Sequence, residues 1–255
     1  MLPKLSIITI VLNNKEFFAH TLESIREQSF KEFEYIVIDG GSRDGTLELI
    51  KKNKSRIDYW VSEPDRGIYD AMNKGLKVAK GEWIIYLNAG DRFADRNVLA
   101  SFFKLKNLEE VDFVFGNWYT CNLLKDPNLL FPGFANYEKG AILHQSVIYK
   151  KKLHDLYGNY LITPKLIISD YVFFLTIPKT KVFHFDQPIS INDNTGVSTA
   201  PWSYKQKLAI DFVFGRITAF QLVFLFVKFH IPRFDRYVIN FFKGNQSWFK
   251  KRTTI

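Results

Sequence analysis

The chain reads as an α/β protein built on a mostly parallel central sheet. Two observations predict this class. Short β-branched apolar runs alternate with segments whose apolar residues recur at helical spacing, and every run gives way to a polar loop bearing Asn, Gly or Asp. Such an order makes βαβ units, and it gathers all the strand-to-helix loops along one edge of the sheet.

Taken in order, "LSIITIV" (Leu5 to Val11) is a strand buried on both faces. Lys15 to Gln28 places Phe17, Phe18, Thr21, Leu22 and Ile25 on one helical face. "FEYIVID" (Phe33 to Asp39) is the second strand, followed by the loop "GGSRDG". Asp44 is placed to cap a helix from Thr46 to Lys52. Ile57 to Ser62 makes the third strand, and a helix runs from Ile68 to Ala79 with Gly81 as its stop. Trp83 to Leu87 is the fourth strand. A helix is expected from Asp95 to about Asn107, then a strand "DFVFGNWY". Beyond Tyr119 the pattern loosens into Pro-, Gly- and Asn-bearing loops between short strands.

Composition narrows the class. With 255 residues and 47% hydrophobic content the chain can bury a sizeable core, which excludes a disordered protein. One cysteine, Cys121, excludes a disulfide framework and a thiolate metal cluster, and fits a reducing compartment. The N-terminus lacks the charged-then-apolar layout of a signal peptide, so the body is expected in the cytoplasm. The net charge of +9 is uneven. From Pro201 onward ten Lys or Arg face only Asp211 and Asp235, leaving +1 for the first 200 residues. A neutral body with a basic end points to an anionic surface rather than to nucleic acid.

The loops carry the chemistry: Asn13-Asn14, Asp39-Gly40-Gly41-Ser42, Glu63-Pro64-Asp65-Arg66-Gly67 and Asn88-Ala89-Gly90-Asp91. Turn-forming residues would account for any one of them. Carboxylates repeated at the ends of successive strands indicate instead a ligand crevice at the carboxyl edge. Dinucleotide and phosphate-loop fingerprints do not fit. The loop after the first strand has no glycine, and Thr46 stands where a phosphate-loop lysine is required after Gly40 and Gly45.

"LSIITIVLNN", "YIVIDGGSRDGT", "SEPDRGIYDAMNKGLKVAKGEWIIYLNAGDRF" and "ISDYVFFL" together resemble the inverting family 2 glycosyltransferases of bacteria. The subgroup resembled builds capsule, colanic-acid-like and O-antigen polysaccharides. The likeness is dense over residues 4–105, patchier to about Ser198 through "AILHQSVIYKKKL" and "INDNTGVS", and absent from the tail. It implies a GT-A fold over residues 1–200, with a nucleotide-sugar half (1–120) and an acceptor half (121–200), and a basic aromatic extension over 201–255.

The resemblance also implies site residues. Val11 and Asn13 would line the nucleoside pocket, and Asp39 would hydrogen-bond the base. Asp65 and Arg66 would lie near base and phosphates, and Asn73 would support the site from its helix. The family's acidic motif falls on Asn88 to Asp91, where a diphosphate and a divalent cation (Mn²⁺ or Mg²⁺) would sit with Asp91 as the metal ligand. Many relatives carry two or three aspartates there. This chain has one, which puts strict metal dependence in doubt. Asp170 matches the general base, although Ser169-Asp170 could instead cap the helix beginning at Tyr171. His144 falls in a motif near the acceptor side, with a structural role equally open. His184 and Asp186 read as structural, and His20, His154 and His230 carry no signal.

The donor implied is a nucleoside diphosphate hexose, most often a UDP-sugar, and the acceptor a polyprenyl-diphosphate-linked oligosaccharide. Three other readings stand beside it: a sugar-1-phosphate nucleotidyltransferase, whose glycine-rich, Lys- and Arg-bearing loop is missing; an inactive nucleotide-sugar-binding or assembly protein; and a hydride-transfer enzyme. In the tail, the longest uncharged run, Ile217 to Val227, is short of the ~20 residues a bilayer core requires. Interleaved aromatic and basic residues there suit helices lying in the interface of an anionic membrane, peripheral on its inner face. The alternative is a helical pair packed on the body or on a second subunit of an oligomer.

Overall fold

A computed structural model describes residues 2–195 and 201–230. The chain divides into two compact units, Met1–Thr199 and Ala200–Ile255. In the first, β1 (Leu5–Val11), β2 (Phe33–Asp39), β3 (Tyr59–Ser62) and β4 (Trp83–Tyr86) alternate with α1 (Lys15–Arg26), α2 (Thr46–Lys52) and α3 (Ile68–Val78). These elements match the sequence reading to within about two residues at each end. There follow β5 (Arg92–Phe93), α4 (Val98–Phe102), β6 (Phe113–Asn122), β7 (Asp126–Gly133), β8 (Val147–Lys150), α5 (Lys152–Tyr157), α6 (Ser169–Leu175) and β9 (Val182–Asp193).

One nine-stranded sheet runs β3-β2-β1-β4-β8-β6-β9-β5, with β7 added on β6. It is parallel from β3 through β4 and mixed beyond, where β8 is antiparallel to both neighbours and β9 is parallel to β6. Alternation along each strand sorts the core into two layers. Leu5, Ile7, Val37 and Ile85 pack with Phe18, Ile25 and Ile50 of α1 and α2 on one face. Ile8, Ile36, Ile38 and Ile84 pack with Met72 and Leu76 of α3 on the other. Successive strands step outward from β1 through β2 to β3, and then β4 returns to the opposite side of β1. That reversal opens a crevice at the carboxyl ends of β1 and β4, the place where open α/β sheets bind ligands.

Two local expectations are corrected. The helix foreseen from Asp95 to about Asn107 spans only Val98–Phe102. Asp95 accepts the Asn97 N–H at 2.6 Å, which delays the start. Past Phe102 the N–H groups of Lys104, Leu105 and Leu108 bond three residues back, a tighter winding that turns Leu105 and Leu108 onto the core. Gly81 is not a helix stop, since Ala79 already leaves α3 in an extended conformation. It is a point of close approach: a Cβ there would lie 2.5 Å from the Ser6 nitrogen. The Gly81 N–H meets the Ser6 hydroxyl at 2.9 Å, and the buried Glu34 carboxylate gathers that hydroxyl and the Lys80 N–H at 2.6 and 2.5 Å. The N-cap position of α2 is Gly45 rather than Asp44, whose carboxylate still takes the Thr46 N–H at 3.1 Å.

In the second unit, α7 (Pro201–Val213) is followed by α8 (Ala219–His230). No helix among the described residues is long and apolar enough to cross a membrane. The expectations for Arg233, Phe234, Arg236, Tyr237, Phe241, Phe242, Lys243, Trp248, Phe249 and Lys250, and for the end of "INDNTGVS", lie outside the described residues.

His154 belongs to the core of the first unit. Its ring stacks on Phe173 at 4.1 Å, its Nδ1 donates to the Gly158 carbonyl, and its Nε2 accepts the Tyr149 hydroxyl at 2.8 Å. Burial pushes its pKa down to about 4. Between that value and the ordinary 6.5 the unfolded chain binds the proton and the folded one does not. This contribution is therefore complete above 6.5 and lost as pH falls toward 4, about 3 kcal/mol in all. Urea unfolding from pH 7 to pH 4 should show the loss, and His154→Gln, which keeps an acceptor and a donor, should remove that portion of the slope.

Candidate functional site

Asp39 ends β2 fully buried, and its carboxylate has to be satisfied by donors. Ser42 supplies its N–H at 3.1 Å and its hydroxyl, and Ser62 at the end of β3 supplies a second hydroxyl at 2.5 Å. The Ser42 oxygen also accepts the Asn13 N–H at 2.7 Å, while Asn13 Oδ1 receives Arg43 N–H at 2.8 Å. Asn13 takes a φ of 47°, a left-handed conformation that asparagine tolerates. One carboxylate thus fastens the loops after β1, β2 and β3. Val11 itself packs into the core and offers the loop only its carbonyl, which accepts Gly40 N–H at 2.9 Å; Leu12 is the exposed neighbour.

Asp65 sits against Gly40, where a Cβ would lie 3.1 Å from Asp65 Oδ2. Burial raises its carboxyl despite Lys74, whose ammonium is 2.5 Å from Oδ1. Arg66 is largely exposed and pairs with Asp70, which also takes the Arg66 N–H at 3.0 Å. Asn73 grips the backbone of Tyr160 through both amide atoms, at 2.8 and 3.1 Å. The next N–H, of Leu161, reaches Ser169 Oγ at 2.6 Å, so Asn73 acts on the segment that leads into α6.

After β4 the chain turns at Asn88–Asp91. Thr21 of α1 steadies the turn, its hydroxyl accepting Gly90 N–H at 3.0 Å and donating to the Asp91 carbonyl at 2.8 Å. Gly90 has a φ of 104° and faces Asp193 of β9, whose Cβ would be 3.5 Å from an added Cβ. The Asp91 side chain is 5% exposed. Burial pushes its carboxyl up to about 7, opposed by the His144 charge and by bonds from the Gln145 side chain and the Asp193 N–H. Asn88 Oδ1 and Gln145 Oε1 are buried without a hydrogen-bond partner. Ionisable oxygen and uncommitted amide oxygens are the donor chemistry of a hard divalent cation, and the residues fit one. Among the described residues no group of three or more His, Cys, Asp or Glu side chains is placed to hold a metal ion. A cation here would draw its remaining oxygens from a ligand.

Asp170 lies in the first turn of α6. The N-cap position is Ile168 and the Ser169 hydroxyl is committed to Leu161, while the Asp170 carboxylate takes the Tyr171 N–H of the first turn. Tyr69 of α3 donates its hydroxyl to Asp170 Oδ1 at 2.7 Å, and His144 Nδ1 meets Oδ2 at 2.9 Å. On its far side His144 Nε2 contacts Asn88 Nδ2 at 3.0 Å. Burial would raise the Asp170 carboxyl, but the bond and charge of His144 and the Tyr69 hydroxyl hold it below the usual carboxylate value. Burial would lower the His144 imidazole, but Asp170 and then Asp91 raise it. His144 therefore joins Asn88, on the loop after β4, to Asp170, on α6.

His184 and Asp186 are exposed along β9, His184 stacked on Phe115 and Asp186 bonded to Asn117. Sequence reasoning passed over Tyr69, Ser42, Ser62, Gln145 and Asp193. Tyr69 lay inside "EPDRGIYDAMNKG" and Gln145 inside "LHQS", so the motifs contained them. Only the fold shows Asp193 beside Asp91.

The fold and the crevice define a GT-A-type architecture. Residues 6–166, more than half the chain, match the family model "Glycosyl transferase family 2", and the chain belongs to that family. It is 40% identical over 99 residues to an uncharacterised glycosyltransferase of Mycobacterium tuberculosis, covering 38% of each chain. It is 30% identical over 166 residues to a PGL/p-HBAD biosynthesis glycosyltransferase of Mycobacterium bovis, covering 62% of this chain and 63% of that one. These matches therefore span less than two thirds of the relatives' length. Among solved structures it is similar to S. aureus TarS 1-349 in complex with UDP-GlcNAc, with a TM-score of 0.65 and 18% identity over 83% of this chain and 66% of that one. It is also similar to the mannosyltransferase PcManGT from Pyrobaculum calidifontis in complex with GDP-Man and Mn²⁺, with a TM-score of 0.60 and 18% identity over 82% and 61%.

The Asp170–His144 pair has a spectroscopic consequence. In a two-dimensional NMR titration the His144 ring should titrate above the ordinary histidine value and the His154 ring below it. Asp170→Asn removes the nearest negative charge, so the His144 pKa should fall while that of His154 stays in place. An unmoved His144 would mean that the pair is not formed in solution.

Proposed function

We propose that the chain is an inverting hexosyltransferase acting on a nucleoside diphosphate sugar, with a UDP-sugar as the first choice of donor. The observation that carries this reading is the ionised Asp170, held by Tyr69 and His144 and linked through His144 to the loop after β4. Inversion requires in-line attack by an acceptor hydroxyl on the anomeric carbon. The new C–O bond forms as the bond to the diphosphate breaks, the nucleoside diphosphate departs, and the hydroxyl proton passes to Asp170. A carboxylate already ionised near neutral pH is ready to take that proton as the attacking oxygen becomes acidic.

The donor's base and ribose are assigned to the loops fastened by Asp39, with Asn13 lining them and Asp65 and Arg66 toward the phosphates. The diphosphate is assigned to Asn88–Asp91. A divalent cation bound at Asp91 would neutralise charge that develops on the leaving diphosphate. For the acceptor we favour a polyprenyl-diphosphate-linked oligosaccharide of bacterial surface polysaccharide synthesis, capsule or O-antigen, met at the cytoplasmic face of the membrane.

The test is release of nucleoside diphosphate from UDP-glucose, UDP-GlcNAc and GDP-mannose with Mn²⁺ present, water serving as acceptor. Asp170→Asn keeps the shape but cannot take the proton, so turnover should fall roughly 10²–10⁴-fold with the donor KM nearly unchanged. Asp91→Ala should abolish the Mn²⁺-dependent part, and Asp39→Ala should weaken nucleotide binding with or without metal. Parental turnover in the Asp170 variant removes it from the mechanism.

For the second unit we favour docking on an anionic leaflet. Phe220 and Val223 of α8 are exposed by 80% and 62%, and Lys205 Nζ of α7 lies 5.7 Å from the rings of Phe226 and Phe229. Each basic residue near such a surface adds about 1 kcal/mol, and exposed phenylalanines add apolar burial at the acyl boundary. The full chain should co-sediment with phosphatidylglycerol vesicles and not with phosphatidylcholine, less so as salt rises. Indifference to anionic vesicles at low salt would leave the packed-tail alternative.

A further inference from the structure

We infer that His144 is a positioning residue that couples the donor-side loop to the base, one ring nitrogen serving each. The inference rests on the function proposed above, and goes beyond it in giving His144 two separable jobs.

Each side of the imidazole is committed. Nδ1 meets Asp170 Oδ2 at 2.9 Å and Nε2 meets Asn88 Nδ2 at 3.0 Å. An ionised Asp170 only accepts, so Nδ1 carries the proton on that side. Above its raised pKa the ring is neutral and the Asn88 amide nitrogen donates to Nε2, which leaves Asn88 Oδ1 pointing elsewhere; that oxygen is buried without a partner. Asn88 thus has one arm on the imidazole and one free for whatever enters the crevice. A donor group or its cation that takes Oδ1 fixes the amide, and the amide fixes the ring. The ring in turn fixes Oδ2 of Asp170, while Tyr69 fixes Oδ1 at 2.7 Å. The imidazole is 14% exposed.

The local chain supports such rigidity. His144 and Gln145 lie in a single tight turn just before β8, and β8 is hydrogen-bonded between β4 and β6. The ring therefore hangs from the sheet rather than from a free loop. Ser146, the next residue, is buried and bonded to Ser190 of β9 at 2.6 Å, which limits how the turn can move.

The two jobs separate because two amides mimic the two nitrogens. An asparagine amide reaches the place of Nδ1, and a glutamine amide that of Nε2. In the full chain, with Mn²⁺ and the sugar nucleotide that the parent hydrolyses fastest, His144→Asn should keep kcat within about tenfold of the parent and raise the donor KM about threefold to tenfold, the loss of one neutral hydrogen bond. His144→Gln should leave the donor KM within about threefold and lower kcat roughly tenfold to a hundredfold, the loss of a bond to a charged group. Asn88→Ser cuts the same arm from the other side. It must reproduce the KM effect, and in the double variant with His144→Asn the two must not add. Equal losses in both His144 variants, parental kinetics in both, or an additive double variant overturn the coupling. If the His144 variants lose cooperative melting, Asn88→Ser decides through the His144 ring in NMR: ring signals that respond to the sugar nucleotide in the parent but not in the variant support the inference, and an equal response in both overturns it. A parent that releases no nucleoside diphosphate, or an unimpaired Asp170→Asn, would overturn the function itself instead.

Discussion

A carboxylate inside a protein must be met by donors or give up its charge, and that constraint shapes the working edge of this sheet. Three aspartates face it there, Asp39 and Asp91 buried and Asp170 partly buried, and each meets it differently. Asp39 collects hydroxyls and an N–H from the loops around it, and so holds those loops together. Asp170 keeps its charge because an imidazole and a phenol are aimed at it. Asp91 has weaker compensation, and its carboxyl is the one pushed up to about 7. Under the function proposed above, a divalent cation at Asp91 would supply the compensation that the surrounding groups do not.

The fold follows from the same alternation that sorts the core. Each residue of β1 that faces α1 is followed by one that faces α3, so neither helix layer can be removed without exposing half of a strand. This covering leaves the strand ends as the places where polar side chains can reach solvent or a ligand. The reversal of strand order at β1 then decides which two ends, those of β1 and β4, bound the crevice.

Much of this was legible in the sequence, because the first half is governed by local periodicity. The first four strands and three helices were readable from residues 5–87 alone. Asp39, Asn88 and Asp91 were visible as polar residues where strands end, while His144 and Asp170 were marked only by the family resemblance. What could not be read was pairing across long separations. Tyr69 and Asp170 are 101 residues apart, and nothing in the local pattern of either announces the other. The same holds for Asp193 beside Gly90. Beyond Tyr119, strands pair with partners far along the chain and in both directions, so periodicity gives their existence without their neighbours. The shortened α4 is a smaller failure of the same kind, since tertiary packing of Leu105 and Leu108 overrode helical spacing.

At the opposite edge of the sheet, Glu34, Ser6 and Gly81 form a tight knot of backbone and side chain with no room for another atom. It lies at the amino ends of β1, β2 and β4, a strand's length from the crevice. Rigidity and recognition are thereby assigned to different ends of the same strands. Loops at the carboxyl ends can be exchanged by grafting without touching the knot, while a change as small as one methyl at residue 81 would disturb the register of three strands. Under the proposed function, a designer wishing to alter which nucleotide is accepted would vary residues 12–14, 40–44 and 63–67. The residues around Gly81 would be the ones to leave alone, and a lineage diversifying its substrates would face the same division.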